Sequence, residues 1–170
     1  VHTAAQTSVP KSLEDPRSDA AINIMGSLNI LENCRKADVK KMIYMNSGGA
    51  LSGDSKKLPT KENIIDPLSP YGVSKFIAEK YLETYKNLYG IKFISLRLSN
   101  IYGPRQNSSA EGGVIAIFIQ NLLNNRSPII FGSGDQTRDF IFVDDVVDAV
   151  LLSMKRVDDQ VINISSGKEV

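Results

Sequence analysis

The segment Tyr71-Gly72-Val73-Ser74-Lys75 sets a phenol and an amine four residues apart. It follows Pro67-Leu68-Ser69-Pro70, in which Ser69 suits a helix N-cap and Pro70 the first helical turn. A helix starting there puts Tyr71 and Lys75 at i and i+4 on one face. A lysine ammonium beside a phenol favours the phenolate and lowers its pKa. A tyrosine so poised can take a proton from a sugar or alcohol hydroxyl near neutral pH. A bare Tyr-x-x-x-Lys also fits a surface pair on an amphipathic helix. The Pro-x-x-Pro before it, and Asn46-Ser47-Gly48-Gly49 at the end of an upstream apolar run, favour the catalytic reading.

Such a pair needs elements to hold it. Residues 20–36 carry Ala21, Ile24, Met25, Leu28, Leu31 and Cys34 at helical spacing. Lys41 to Ser47 reads as a buried strand, and residues 48–69 as a long loop. The motif helix spans 70–89, with Val73, Ile77, Tyr81, Tyr85 and Leu88 as its apolar side and Gly90 as its C-cap. Strands are expected at 92–98, 128–131 and 140–143, the last two around the turn Gly132-Ser133-Gly134-Asp135. A polar loop covers 103–112, and helices cover 113–124 and the stretch to Met154, the latter capped by Asp144 or Asp145. Val1 to Ala5 reads as the end of a buried strand, and the segment from Val161 as a strand running into a turn.

Strands alternating with helices of this length predict an α/β fold with a parallel sheet. In such sheets ligands sit at the carboxyl ends of the strands. Here those ends hold Ala4-Ala5, Asn46-Ser47 and Leu98-Ser99-Asn100. No Gly-x-Gly-x-x-Gly links a strand to a helix, so the glycine loop that cradles a dinucleotide pyrophosphate is not within these residues.

The bulk numbers narrow the options further. At 170 residues the chain is long enough for one domain with a sizeable core. With 20 basic and 19 acidic residues and no basic cluster, it does not read as a nucleic-acid binder. One cysteine, Cys34, rules out an intrachain disulfide and points to a reducing, cytoplasmic compartment. One histidine and one cysteine make a structural zinc site a poor reading. No apolar run has the length of a membrane span, and no signal peptide is visible.

With these residues in view, the chain resembles the extended short-chain dehydrogenase/reductases of the NAD-dependent epimerase/dehydratase family, among them the UDP-glucose 4-epimerase-like members. Val1-His2-Thr3-Ala4-Ala5-Gln6 resembles the family strand that passes under the nicotinamide riboside. Asn23-x-x-Gly26-Ser27-x-Asn29-x-Leu31 resembles a family helix motif, and Tyr71-x-x-x-Lys75 its catalytic pair. Arg97 to Gln106 resembles the segment R-x-x-N-V-Y-G-P-R-Q. Phe131 to Val146 resembles F-G-D-G-x-Q-T-R-D-F-V-Y-V-D-D-V. The resemblance spans essentially the whole chain.

It implies an NAD(P)-binding, Rossmann-like doubly wound parallel sheet, with part of a smaller sugar-nucleotide lobe. Residues 1–100 would be the second half of the dinucleotide-binding domain, and 101–170 would be shared between the substrate lobe and the last strands. About 60 or more residues carrying the glycine loop would precede Val1, so the chain alone would bind NAD poorly. The implied activity is nucleotide-sugar 4-epimerisation with tightly held NAD and a UDP-sugar substrate, in a homodimer. Another reductase, dehydratase or decarboxylase of the same family, or a non-catalytic Rossmann binding domain, is the alternative.

The resemblance also implies roles. Tyr71 would take the proton of the sugar 4-hydroxyl, and Lys75 would hold the nicotinamide ribose. Ser47 would supply the third catalytic hydroxyl, although counting back from Ser52-Gly53, where many members have Tyr-Gly, puts Gly48 in that slot. Ala4, Ala5, Asn23, Ser47, Tyr71, Lys75 and Leu98 would face the cofactor. Asn23 could equally be structural. Arg138 would pair with the substrate diphosphate, or else bridge Asp135 or Asp139 in its turn. Asn100 would bond the diphosphate or sugar, or form an Asx turn. Ile130 and Phe131 would flank the nucleobase, or pack in the core. His2 reads as structural. Gly49 and Ala50 stand where dehydratases and decarboxylating relatives carry an acid, which favours epimerisation.

Overall fold

The structure, a computed structural model, describes the chain apart from residues 56, 109–112 and 157. The end of the expected polar loop 103–112 therefore lies outside the described residues. Two short helices open the chain. α1 (Val9–Glu14) is capped by Ser8, and α2 (Pro16–Ala20) by Asp15, whose side chain accepts from the Ser18 amide at 3.0 Å. Each has proline in its first turn, where no backbone donor is lost. A π-helical turn, Ala21–Met25, leads directly into α3 (Gly26–Lys36). The helix expected over 20–36 is present, with one wide turn at its start.

β1 (Lys41–Ser47) is followed by α4 (Gly48–Ser52), a single turn capped by the Ser47 hydroxyl. The expected loop 48–69 therefore opens with helix. α5 (Pro70–Tyr89) begins and ends as its caps dictate. Ser69 Oγ accepts from the Gly72 amide at 3.1 Å. Gly90 turns left-handed at φ 72° and donates its N–H to the Lys86 carbonyl. β2 (Lys92–Leu98), β3 (Asn100–Tyr102), α6 (Val114–Leu123), β4 (Phe140–Phe142), α7 (Val143–Arg156) and β5 (Gln160–Ile164) complete the order.

β1, β2 and β5 form a parallel sheet in that order. β3 pairs with β4, also in parallel. Ser99 is the junction: its amide bonds Ile164 O in the first sheet, and the next amide, of Asn100, bonds Asp139 O beside the second. Helices cover both faces of the main sheet, as the resemblance implies. On one face Met42, Tyr44 and Phe93 meet Leu31 of α3 and Ala78, Leu82 and Tyr85 of α5. On the other, Ile43, Ile94, Leu96 and Leu98 meet Ile141 of β4 and Val146 of α7. Alternate residues of each strand thus serve opposite cores.

Four expectations are corrected. Val1 to Ala5 is not a buried strand: only His2 bridges to Tyr44, Val1 and Ala4 are exposed, and no described strand lies on the far side. Residues 128–131 form no strand and Ile129, Ile130 and Phe131 are exposed, because nothing pairs with them. α7 begins at Val143, so Asp144 and Asp145 lie in its first turn and complement the helix dipole from inside rather than capping it. The buried side of α5 matches the predicted stripe only in its second half, where Tyr85 is buried and Tyr81 packs against the core. Val73 and Leu88 face outward, while Tyr71, Ser74, Lys75, Ala78, Glu79, Leu82 and Tyr85 face in. Apolar periodicity misplaced the face because its first half is polar.

Gly72 shows how closely α5 seats. A Cβ there would fall 2.3 Å from Ala50 O, a backbone atom of α4. Gly72→Ala is expected to destabilise the protein by about 1–3 kcal/mol through overpacking, read as a lower urea midpoint. An unchanged midpoint would mean that the α4–α5 contact yields at no cost.

Candidate active site

α5 crosses the sheet antiparallel to its strands. Its second half, Leu82 and Tyr85, lies over the apolar strand starts Met42 and Phe93. Its first half lies over the strand ends, where the same face of β1 and β2 turns polar: Tyr44 is paired with Ser95, and Asn46 with Arg97. Tyr71, Lys75 and Glu79 therefore descend, one turn apart, onto a polar floor.

Tyr71 is buried in the first turn of α5. Burial pushes its pKa up, the Ser47 hydroxyl pulls it down through a hydrogen bond, and the Asp19 charge adds to the rise. Ser47 holds this position as the last residue of β1, its oxygen also accepting from the Ala50 amide at 3.4 Å. Gly48, the other candidate slot, brings no hydroxyl; its Cα is pressed toward the Leu98 carbonyl, 3.4 Å from where a Cβ would sit.

Lys75 is only 3% exposed. Its Nζ donates to Met45 O at 2.7 Å and stands 4.2 Å above the centre of the Tyr44 ring. Burial pushes its pKa down to about 8, against the opposing pull of the Asp19 and Glu79 charges. Lys75 is not among the groups that move the Tyr71 pKa here. The ammonium is engaged by the β1 carbonyl and the Tyr44 face, and burial of the phenol dominates.

Beneath the pair lies a buried polar cluster that the sequence reading missed. Glu79, 1% exposed, binds Arg97 through both oxygens, at 2.5 Å to Nη2 and 3.1 Å to Nε. Glu79 Oε2 also accepts from Asn46 Nδ2 at 2.8 Å and Ser95 Oγ at 2.6 Å. Asn46 in turn accepts from the Ser47 amide at 2.9 Å. The bridge thus reaches the strand end that carries the Ser47 hydroxyl. The signal was present in the sequence: Tyr71, Lys75 and Glu79 stand at i, i+4 and i+8.

Asn23 has the bonds of a structural residue, the alternative its sequence left open. It is buried behind the site, where its amide donates to Gln6 O, Asp19 Oδ1 and Ser74 Oγ and accepts from Gln6 N. Leu98 lines a cavity of about 440 Å³ together with Thr7, Asn46, Ser47, Tyr71 and Asn100. Ala4 and Ala5 run alongside β1, where His2 N donates to Ile43 O and Met45 N to His2 O. His2 bonds Ser27 through its ring at 3.2 Å, and burial and Lys75 lower its pKa, a structural placement.

Asn100 opens β3 rather than an Asx turn, and its side chain donates to Asp139 O at 3.3 Å. Arg138 is exposed and donates to Thr137 O at 2.6 Å; no ion pair to Asp135 or Asp139 is seen among the described residues. Burial pushes the Asp139 pKa up, but bonds from Ser166, Gly167 and Ser99 outweigh it and hold the carboxylate below its usual range. Arg138 and Asn100 line a second cavity of about 470 Å³, next to the first. Ile130 and Phe131 line neither cavity, and Phe131 is 81% exposed, so they do not pack in the core. Among the described residues no three His, Cys, Asp or Glu side chains cluster as a metal site. No described helix is long and apolar enough to cross a membrane.

Residues 1–165 match the NAD dependent epimerase/dehydratase family. A UDP-glucose 4-epimerase of Mycolicibacterium smegmatis is 45% identical over 149 residues, which cover 87% of this chain and 48% of that protein. A Thermotoga maritima UDP-glucose 4-epimerase, solved with UDP-glucose, superposes with a TM-score of 0.97 at 46% identity over 99% of this chain and 55% of its own. A Thermus thermophilus UDP-glucose 4-epimerase, solved with NAD, gives 0.93 at 37% identity, covering 99% of this chain and 56% of its own. These are NAD-binding Rossmann folds, and the chain spans about half the length of the curated relatives it matches.

The Glu79–Arg97 bridge generates a prediction. Glu79→Gln leaves a guanidinium 5% exposed without its counter-charge, and is expected to cost about 3–5 kcal/mol in chemical denaturation. Adding Arg97→Met should recover part of that loss. A Glu79→Gln protein as stable as the parent would show that the bridge does not hold α5 to the strand ends.

Proposed function

The chain belongs to the NAD dependent epimerase/dehydratase family, and from that premise we propose that it carries the catalytic pair of a nucleotide-sugar 4-epimerase of the UDP-glucose/UDP-galactose type. The observation that carries this reading is the content of the smaller cavity. It holds the Tyr71 phenol beside the Ser47 hydroxyl, and among its described lining residues there is no carboxylate. Dehydration across C5 and C6 of a sugar, or decarboxylation, asks for a second acid–base group next to the tyrosine. Gly49 and Ala50 cannot supply one. Epimerisation at C4 needs one proton acceptor, which later returns the same proton.

The residues present suit a nicotinamide riboside. Lys75 offers a buried ammonium, Tyr71 and Ser47 offer hydroxyls, and Ala4 and Ala5 leave room for close approach. NAD, when bound, supplies the acceptor and donor of hydride at C4 and adds a positive ring beside the phenol. Tyr71 takes the proton of the 4-hydroxyl as C4 is oxidised and gives it back after the 4-keto sugar has turned over. Ser47 orients the phenol and bonds the reacting oxygen. The positive charge brought by the cofactor would oppose the burial that holds the Tyr71 pKa up. Arg138 and Asn100, on the wall of the neighbouring cavity, would take the diphosphate.

Two outcomes test the reading. The full-length protein, with the glycine loop present, given UDP-glucose or UDP-N-acetylglucosamine is expected to interconvert it with the galacto epimer, with no added NAD and no NADH accumulating. A product lighter by water or carbon dioxide in mass spectrometry would move it to another branch of the family. In the full-length protein Tyr71→Phe is expected to lower kcat by about 10²–10⁴ with little change in substrate affinity, the range for a lost general acid–base group. Turnover near the parent rate in that variant would remove Tyr71 from the mechanism.

A further inference from the structure

Four charged side chains are buried around α5: Asp19, Lys75, Glu79 and Arg97. Two of them form a direct pair, since the Arg97 guanidinium lies on the Glu79 carboxylate. Lys75 and Asp19 are left. Lys75 Nζ touches no carboxylate; it rests on Met45 O and the Tyr44 ring. Asp19, 1% exposed on α2, touches no cation. Its Oδ1 accepts from the Gln6 side-chain amide at 2.8 Å and the Asn23 amide at 3.1 Å. Its Oδ2 is buried with no hydrogen-bond partner.

A buried carboxylate with one unsatisfied oxygen is costly unless a positive charge lies within reach. α2 packs directly against α5. The Asn23 amide that binds Asp19 also donates to Ser74 Oγ at 3.1 Å, and Ser74 Oγ donates to Tyr71 O at 2.9 Å. Asp19 is thus tied through two side chains to the turn that carries Tyr71 and Lys75. We propose that Asp19 is a positioning residue of this site: its charge balances the Lys75 ammonium from across the helix interface, and its amide relay fixes the first turn of α5.

The groups facing Lys75 support this assignment. They are His2 on the opening segment, Tyr44 on β1, Tyr71 and Glu79 on α5, and Asp19 on α2. His2 and the two tyrosines carry no negative charge near neutral pH, since burial lowers the pKa of His2 and raises those of Tyr44 and Tyr71. Glu79 is neutralised by Arg97. Asp19 is the remaining counter-charge, and of the two carboxylates that hold the Lys75 pKa up against burial it is the larger influence. Without it the amine would lose its proton at lower pH, and with the proton its grip on a cofactor ribose. The inference rests on the proposed function only for what Lys75 binds.

The test compares the parent with Asp19→Asn, Lys75→Met and the double variant. Asparagine keeps the Oδ1 acceptor for Gln6 and Asn23, removes the charge and sets an NH2 where Oδ2 stood, a change common to both backgrounds. With Lys75 present, Asp19→Asn is expected to lower Tm by about 2–4 °C or more, the scale of one interaction in a chain of this size. In the Lys75→Met background it should lower Tm less, or raise it. Equal losses in the two backgrounds would make Asp19 a packing residue of α2 and overturn the proposal. If Asp19→Asn alone does not fold, a folded double variant supports the proposal, and failure of both overturns it. Independently, the Lys75 ε-carbon followed by NMR is expected to titrate at lower pH in Asp19→Asn than in the parent; an unmoved titration would overturn the charge balance. Neither readout uses a sugar, so their failure is distinct from failure of the epimerase reading.

Discussion

A helix laid antiparallel across parallel strands must match them end to end, and that constraint organises this protein. The faces of β1 and β2 under α5 run from apolar to polar: Met42, Tyr44, Asn46 on one strand and Phe93, Ser95, Arg97 on the other. Read from its C-terminus, the buried side of α5 runs Tyr85, Leu82, Glu79, Ala78, Lys75 and Tyr71, apolar first and mostly polar after. The apolar halves make a core. The polar halves cannot be left unmatched, because buried polar groups without partners are expensive. The bidentate Glu79–Arg97 bridge, with Ser95 and Asn46 on the same carboxylate, satisfies them and sets the register of α5 on the strand ends. Tyr71 then falls beside Ser47, at the edge where parallel sheets hold their ligands.

The same burial sets the electrostatics of the site. It raises the Tyr71 phenol and lowers the Lys75 amine to about 8. Both shifts disfavour the charged form. Hydrogen bonding from Ser47 offsets part of the first shift, to which the Asp19 charge adds, and the charges of Asp19 and Glu79 offset part of the second. A pair so arranged responds strongly to a cation placed against it, which is what an oxidised nicotinamide brings. Such a site suits chemistry that begins with the oxidised cofactor and ends with it restored.

Much of this was legible in the sequence. Ser69-Pro70 and Gly90 fixed both ends of α5, because caps and left-handed glycine are local chemistry. The strands 41–47 and 92–98 were readable as short apolar runs. Other features depended on partners that no local pattern reveals. The buried side of α5 was misread because Ser74, Lys75 and Glu79 find their partners on elements distant in sequence, so polarity there does not mean exposure. Asn23 carried a recognisable motif, but its four bonds to Gln6, Asp19 and Ser74 join elements that no local pattern brings together. Residues 128–131 had strand composition and found no strand to pair with. Asp19 had no signal at all beyond a charge one turn before Asn23.

The central claim is that Tyr71 and Lys75 serve a transient oxidation at C4, with the same hydrogen leaving and returning. UDP-glucose bearing deuterium at C4 tests it most directly, through mass spectrometry and NMR of the product formed in ordinary water. The account predicts that the galacto epimer retains deuterium at C4, inverted in position. Replacement of that deuterium by solvent hydrogen would mean that C4 exchanges as a proton, and would contradict the account.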